Sequence, residues 1–171
     1  MKTSQNFGLL YVLLAICQII LCNYTNLGPY IMLSLLPAMI LCLPTSIGAI
    51  GSMLIAFATG LCTDWLSEGI IGLNAAALIP AAAIRKGIIK AFFGEDMADR
   101  NATFTVRKNG LTKVSFSLLT VYAVFLGTYI FLDGAGTRPL WFIFSRLGAS
   151  LVCNWLLGLL TVSILNPDDR K

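Results

Sequence analysis

Apolar residues fall into six runs along this chain, separated by short segments rich in glycine, proline and charged residues. A helix needs about 20 residues to cross a bilayer, so the fourth and sixth runs are long enough, the fifth is nearly so, and the second and third are short. The pattern predicts an all-α fold, a polytopic membrane helical bundle of about six transmembrane helices that forms a single domain over residues 1–171. The runs are approximately Phe7–Cys22, Tyr30–Leu43, Ile47–Cys62, Gly69–Phe93, Val114–Leu132 and Trp141–Leu165.

The two short runs leave two alternatives open. They either cross the bilayer with local thinning or help from flanking polar residues, or they form a re-entrant pair. Pro37 and Pro80 lie inside runs, where each is expected to kink a helix whose freed carbonyl a neighbour satisfies. The first run has the large Ile16 before Cys17, so it is interpreted as an uncleaved first span.

Composition supports the membrane assignment and excludes several classes of site. The mean hydropathy is +0.83, and 12% of residues are charged, against about 25% in soluble domains. The chain has no histidine, and its five cysteines form no C-x-x-C pair, so no metal or cofactor site is expected. A net charge of +4 does not indicate a nucleic-acid partner.

Basic residues are concentrated on one predicted side of the membrane. The long loop after the fourth run and both chain ends carry them, whereas the opposite side has Arg138 alone in a loop. The positive-inside rule therefore predicts that the N- and C-termini are cytoplasmic. The first three cations of the loop are expected at the membrane edge, where they can contact anionic lipid. The loop contains Arg85, Lys86, Lys90, Arg100, Arg107, Lys108 and Lys113.

A stripe of small residues follows the third run at a spacing of four. Such a stripe lets two helix backbones approach closely. Two interpretations remain open, packing within the bundle and docking of a membrane helix from a partner. The stripe consists of Gly48, Ser52, Ala56 and Gly60.

A polar stripe follows the last run at the same spacing: Arg146, Ser150, Asn154 and Gly158. Arg146 lies roughly 9 Å below the predicted outer edge at helical rise. It is expected either to extend to the surface or to pair with a carboxylate predicted near the same face. The candidate carboxylates are Asp64, Glu68 and Asp133, among which the sequence does not choose.

The segment between the third and fourth runs places Asp64 and Glu68 near hydrocarbon, where an unpaired charge is costly. It is therefore either a surface turn or a working site. Asn74, at the start of the fourth run, is expected to hydrogen-bond across helices. An aspartyl protease site would need glycine, not Thr63, before the aspartate and a second such motif, so no catalytic residue and no enzyme activity are predicted.

The layout resembles the MreD family of bacterial rod shape-determining membrane proteins, in the form found in Bacteroidetes-type bacteria. The resemblance covers most of the chain. Its local matches are Gly60-Leu-x-x-Asp64 with Ser67, then Gly72-Leu-x-Ala75, then Asn26-Leu-Gly-Pro29-Tyr30, together with the long basic loop.

This resemblance implies a non-enzymatic scaffold of the cell-elongation complex in the bacterial inner membrane. Such a scaffold binds the single-span protein MreC and helps connect MreB filaments to RodA and penicillin-binding protein 2 in lateral peptidoglycan synthesis. On this interpretation the partner-binding residues would be the small stripe Gly48–Gly60 together with Asp64 and Glu68.

The alternative is the substrate-binding component of an energy-coupling-factor vitamin transporter, a class with six spans and similar length. It would need an outward-facing pocket. Against it, the first run has Ala15 but no Ala-x-x-x-Ala stripe, which that class uses to dock its transport partner. The candidate pocket residues are Asp64, Trp65, Glu68, Asn74, Arg146 and Asn154.

Overall fold

A computed structural model of the chain describes residues 7–24, 30–67, 70–94, 110–134 and 139–165. All regular elements within these ranges are helices, and five of them coincide with five of the six apolar runs. The predicted all-α fold is therefore confirmed for the described chain. The helices are α1 Phe7–Tyr24, α2 Leu36–Leu41, α3 Ala49–Ser67, α4 Leu73–Phe93, α5 Leu111–Gly134 and α6 Leu140–Leu165.

Four of these helices, α1, α3, α5 and α6, are long and apolar enough to cross a membrane. A helical membrane bundle follows from this finding. Helix α4 has 21 residues, which is also long enough, but its second half carries the charges of Arg85, Lys86 and Lys90.

Among the long helices, α3 packs on α4, α4 on α5 and α5 on α6, and α1 contacts both α3 and α6. The short helix α2 contacts all five of the others. Every residue of α2 is buried, so the centre of the bundle is built around it. In contrast, α1 buries few of its residues.

The second apolar run does not form a transmembrane helix. Residues 30–35 have no helical structure, and α2 then lasts six residues. Pro37 lies in the first turn of α2, where its missing N–H costs least, so the predicted kink at Pro37 is wrong.

The helix formed by the third run extends beyond the end of that run. Helix α3 continues past Cys62 through Asp64 to Ser67 and has 19 residues. It is therefore long enough to cross, and only the second run is irregular among the described segments. We call residues 30–41, the non-helical segment together with α2, the broken span.

Candidate functional site

The backbone of the broken span is satisfied by side chains of α6. The Met32 N–H donates to Ser150 Oγ at 2.9 Å, and the Ser34 N–H donates to Asn154 Oδ1 at 2.7 Å. Asn154 Nδ2 donates in return to the Met32 carbonyl at 2.6 Å. Non-helical backbone is tolerated at membrane depth only where protein or water replaces its hydrogen bonds. The amide of Asn154 supplies both a donor and an acceptor, as a neighbouring strand would.

Two further helices contribute to the same segment. Gln18 Oε1 on α1 accepts the Leu35 N–H at 2.6 Å, and the Tyr122 hydroxyl on α5 donates to the Ser34 carbonyl at 3.0 Å. Both side chains are buried. Sequence reasoning missed both, although an amide in the middle of an apolar run was a usable signal for Gln18. We call Gln18, Tyr122, Ser150 and Asn154 the polar clamp.

Gly158 completes the α6 stripe for a steric reason. A Cβ at this position would lie 2.7 Å from Cε2 of Tyr122, so glycine leaves room for the Tyr122 ring against α6. The predicted stripe therefore has a structural role. Ser150 and Asn154 bind the broken span, and Gly158 leaves space for Tyr122.

Arg85 holds the other end of the broken span. Its Nε donates to the Leu41 carbonyl at 3.3 Å and its Nη2 to the Leu43 carbonyl. These carbonyls lie at the C-terminus of α2, where a cation is favourable. Arg85 is 1% exposed, so the expectation that its side chain contacts lipid is wrong. Lys86 and Lys90 are exposed on the same helix.

We expect Arg85→Lys to destabilise the protein by roughly 2 kcal/mol, because one ammonium group cannot reproduce a guanidinium that serves two carbonyls. Lys86→Gln is the matched control, since its exposed neighbouring side chain should change stability by less than about 0.5 kcal/mol. Thermal unfolding of both variants in detergent measures the difference. Equal melting temperatures would contradict the role of Arg85 as an anchor.

Asp64 caps α4 rather than lining a surface turn. Its carboxylate accepts the backbone N–H groups of Gly72 at 2.8 Å, Asn74 at 3.0 Å and Ala75 at 3.3 Å. The carboxylate is fully buried. An anion at a helix N-terminus satisfies unpaired donors and interacts favourably with the helix dipole, which explains how this charge is accommodated.

The small stripe of α3 faces α4. Ser52, Ala56 and Gly60 are buried, whereas Gly48 is exposed. A Cβ on Gly60 would lie 2.6 Å from the Cα of Ala75, so the two helix backbones are in direct contact there. This placement favours packing within the bundle over docking of a partner at these three residues. Glu68, the last residue of the predicted partner surface, lies outside the described residues.

Arg146 pairs with Asp133. Its Nη1 lies 2.5 Å from Asp133 Oδ2, and the side chains are 15% and 23% exposed. The pair joins the end of α5 to the first turns of α6. The structure therefore selects Asp133 from the three carboxylates that the sequence offered.

Asn74 does not make the predicted hydrogen bond across helices. Its backbone N–H donates to Asp64, but its side chain is 1% exposed and neither amide atom has a hydrogen-bond partner. The expectation for the Asn74 side chain is therefore wrong.

The described residues of the proposed transporter pocket are not brought together into one site. Asp64 and Asn74 lie at the contact of α3 and α4, whereas Asn154 is bound to the broken span and Arg146 to Asp133. Trp65 is 79% exposed. A cavity of about 150 Å³ lies beside Arg146, and the other described members of that set do not line it.

No protein-family model, no curated protein and no solved structure matches this chain.

Proposed function

We propose that this protein is a non-enzymatic scaffold of the bacterial inner membrane, similar to MreD, that helps assemble the cell-elongation complex. In this proposal it binds an MreC-like single-span protein and acts with RodA, penicillin-binding protein 2 and MreB in lateral peptidoglycan synthesis. The chain crosses the membrane six times, with the broken span as the second crossing, and both termini are cytoplasmic.

One observation carries the proposal. The two local motifs of the resemblance, Gly60–Asp64 and Gly72–Ala75, pack against each other where α3 ends and α4 begins. We call this contact the joint. Gly60 contacts the backbone of Ala75, and Asp64 caps the helix that Gly72 opens. Motif residues that depend on each other sterically and electrostatically support the resemblance more strongly than the same residues matched separately.

The hydrogen bonds made by three buried polar side chains support a scaffold rather than a catalyst. Asp64 binds helix N–H groups, Arg85 binds helix carbonyls, and Asn154 binds the broken span. These groups are therefore engaged in holding the protein's own backbone in place. Such engagement suits a rigid platform on which other membrane proteins assemble.

Burial of the small stripe moves the candidate partner surface to an exposed helix face. Helix α1 is the least buried of the four candidate spans. Its outward face is apolar, with Leu9, Val12, Leu13 and Ile16 all exposed, and these side chains border a shallow, open groove beside Gly8. The groove suits an apolar helix such as the single span of the proposed partner.

We expect Gly8→Leu to reduce recovery of the single-span partner at least several-fold. A side chain at Gly8 meets no atom within 4 Å, so leucine would fill the groove without disturbing the bundle. Gly148→Leu on α6 is the matched control, because that glycine is also exposed and also has open space. Equal recovery with both variants would exclude the α1 groove as the partner site.

The proposed function itself is tested by affinity purification of the full chain from its native membrane, followed by mass spectrometry of proteins and small molecules. Recovery of the MreC-like protein and wall-synthesis enzymes, together with rounded cells after depletion, is the expected result. Recovery of an ATP-driven transport module with a bound vitamin would overturn the proposal in favour of a transporter component.

A further inference from the structure

Lys86 is an exposed charge on α4 at a depth where lipid hydrocarbon is expected. Asp64 binds the first N–H groups of α4, so the start of α4 is level with Trp65, which is exposed as tryptophans at a membrane interface are. At about 1.5 Å per residue, Lys86 lies roughly 20 Å along α4 from Leu73. Because a bilayer core is about 30 Å thick, Lys86 falls roughly 10 Å short of its cytoplasmic edge.

Apolar surface continues on the cytoplasmic side of Lys86. Phe92 lies further along α4, and its ring stacks on Phe116 of α5 with the ring centroids 6.5 Å apart. Phe116 is 55% exposed, and Leu111 at the start of α5 is exposed as well. Helices α5 and α6 have 24 and 26 residues and are long enough to cross the whole core. Lys86 is therefore surrounded by apolar surface rather than placed at the end of it.

The bundle supplies no counter-charge for Lys86. Among the residues that the structure describes, none forms an ion pair or a hydrogen bond with its ammonium group. Arg85, the preceding residue, points into the bundle and binds backbone carbonyls. The surface around Lys86 is open, because Ala83 and Gly87 are exposed and a Cβ on Gly87 would meet no atom within 4 Å. Since a charge that faces hydrocarbon is costly, an anion that approaches from the membrane would be stabilising.

We propose that Lys86 binds the phosphate of an anionic phospholipid of the cytoplasmic leaflet, and that the bilayer is thinned beside α4 where this phosphate is held. A lysine inside the core extends its side chain toward the headgroups, and the bilayer thins where an exposed charge lies below its edge. Lys90, exposed one turn nearer the cytoplasm, adds positive charge that favours an anionic headgroup over a zwitterionic one. The inference rests on the crossing of the membrane by α4, as proposed above, and on no protein partner.

The lipid site is tested with the purified full chain, its variant Lys86→Gln and the matched control Lys113→Gln. Lys113 is also exposed, but it lies roughly 30 Å along α5 from Gly134, at the edge of the core rather than inside it. Native mass spectrometry from a neutral detergent counts the lipids bound to each protein. Dioleoyl phosphatidylglycerol and dioleoyl phosphatidylcholine are titrated separately.

The depth of Lys86 is measured independently by electron paramagnetic resonance of spin labels in bilayers. The labels are attached at Lys86→Cys and Lys113→Cys, with the five native cysteines replaced by alanine. Access of each label to oxygen, which dissolves in hydrocarbon, is compared with its access to a water-soluble nickel complex. We expect the label at residue 86 to favour oxygen more strongly than the label at residue 113.

We expect the wild type and Lys113→Gln to bind phosphatidylglycerol in preference to phosphatidylcholine. Affinity for phosphatidylglycerol should be about fivefold weaker in Lys86→Gln, the effect of removing one lysine beside an anionic lipid. Equal affinity of the wild type for both lipids, or an equal loss in the two glutamine variants or in neither, would overturn the lipid site. If the label at residue 86 were as accessible to nickel as the label at residue 113, the proposed crossing by α4 would fail as well.

Discussion

Replacing Asn154 with leucine is expected to lower the free energy of unfolding by roughly 4 kcal/mol, because two buried backbone groups lose their partners at once. The Ser34 N–H and the Met32 carbonyl both bind this one amide, and an unsatisfied buried group costs about 1–3 kcal/mol. Leucine has the same branched arrangement of side-chain heavy atoms as asparagine but larger terminal groups, so the loss does not come from a cavity. The loss should appear as a large fall in melting temperature in detergent.

Ser145→Ala is the matched control for this prediction. Ser145 lies on the same helix, but its hydroxyl donates to the Phe142 carbonyl of its own helix at 3.1 Å, so its removal should be nearly neutral. Ser150→Ala should fall between the two, because Ser150 is the acceptor for the Met32 N–H at 2.9 Å. If Asn154→Leu and Ser145→Ala had the same melting temperature, the polar clamp would not be what holds the broken span in place.

Hydropathy was sufficient to predict the fold class. Long apolar runs leave little alternative to helices in a bilayer, and five of the six runs form helices whose ends lie within five residues of the predicted ones. The second run was the exception, because a continuous apolar stretch looks the same whether it is a helix or a buried extended segment. Pro37 inside that run was the available sign of the break.

The polar residues of α6 were predicted to share one helix face, but the sequence left the partner of Arg146 open and named none for Ser150 and Asn154. The spacing of Arg146, Ser150 and Asn154 predicted that they share one helix face, yet spacing along one helix cannot say what packs against that face. Arg85 was assigned to the membrane edge because most arginines in such loops lie there. Its buried position depends on the carbonyls at the end of α2, a helix end that could not be predicted without the break.

Gly60→Leu is the second substitution with a large expected effect. A Cβ here lies 2.6 Å from Cα and 2.7 Å from the backbone nitrogen of Ala75, and backbone atoms cannot move aside as a side chain does. Overpacking usually costs about 1–3 kcal/mol. We expect at least the upper part of this range, because separating α3 from α4 also withdraws Asp64 from the N–H groups that it caps.

Gly48→Leu tests whether this effect comes from packing or from a partner, since Gly48 belongs to the same stripe but has open space around it. Packing within the bundle predicts that Gly60→Leu lowers the melting temperature of the purified protein strongly and that Gly48→Leu leaves it unchanged. A partner-docking stripe predicts the reverse, with both proteins stable alone and both defective in association. The joint also predicts non-additivity, because Asp64→Asn should destabilise less in the Gly60→Leu background, where the cap is already displaced.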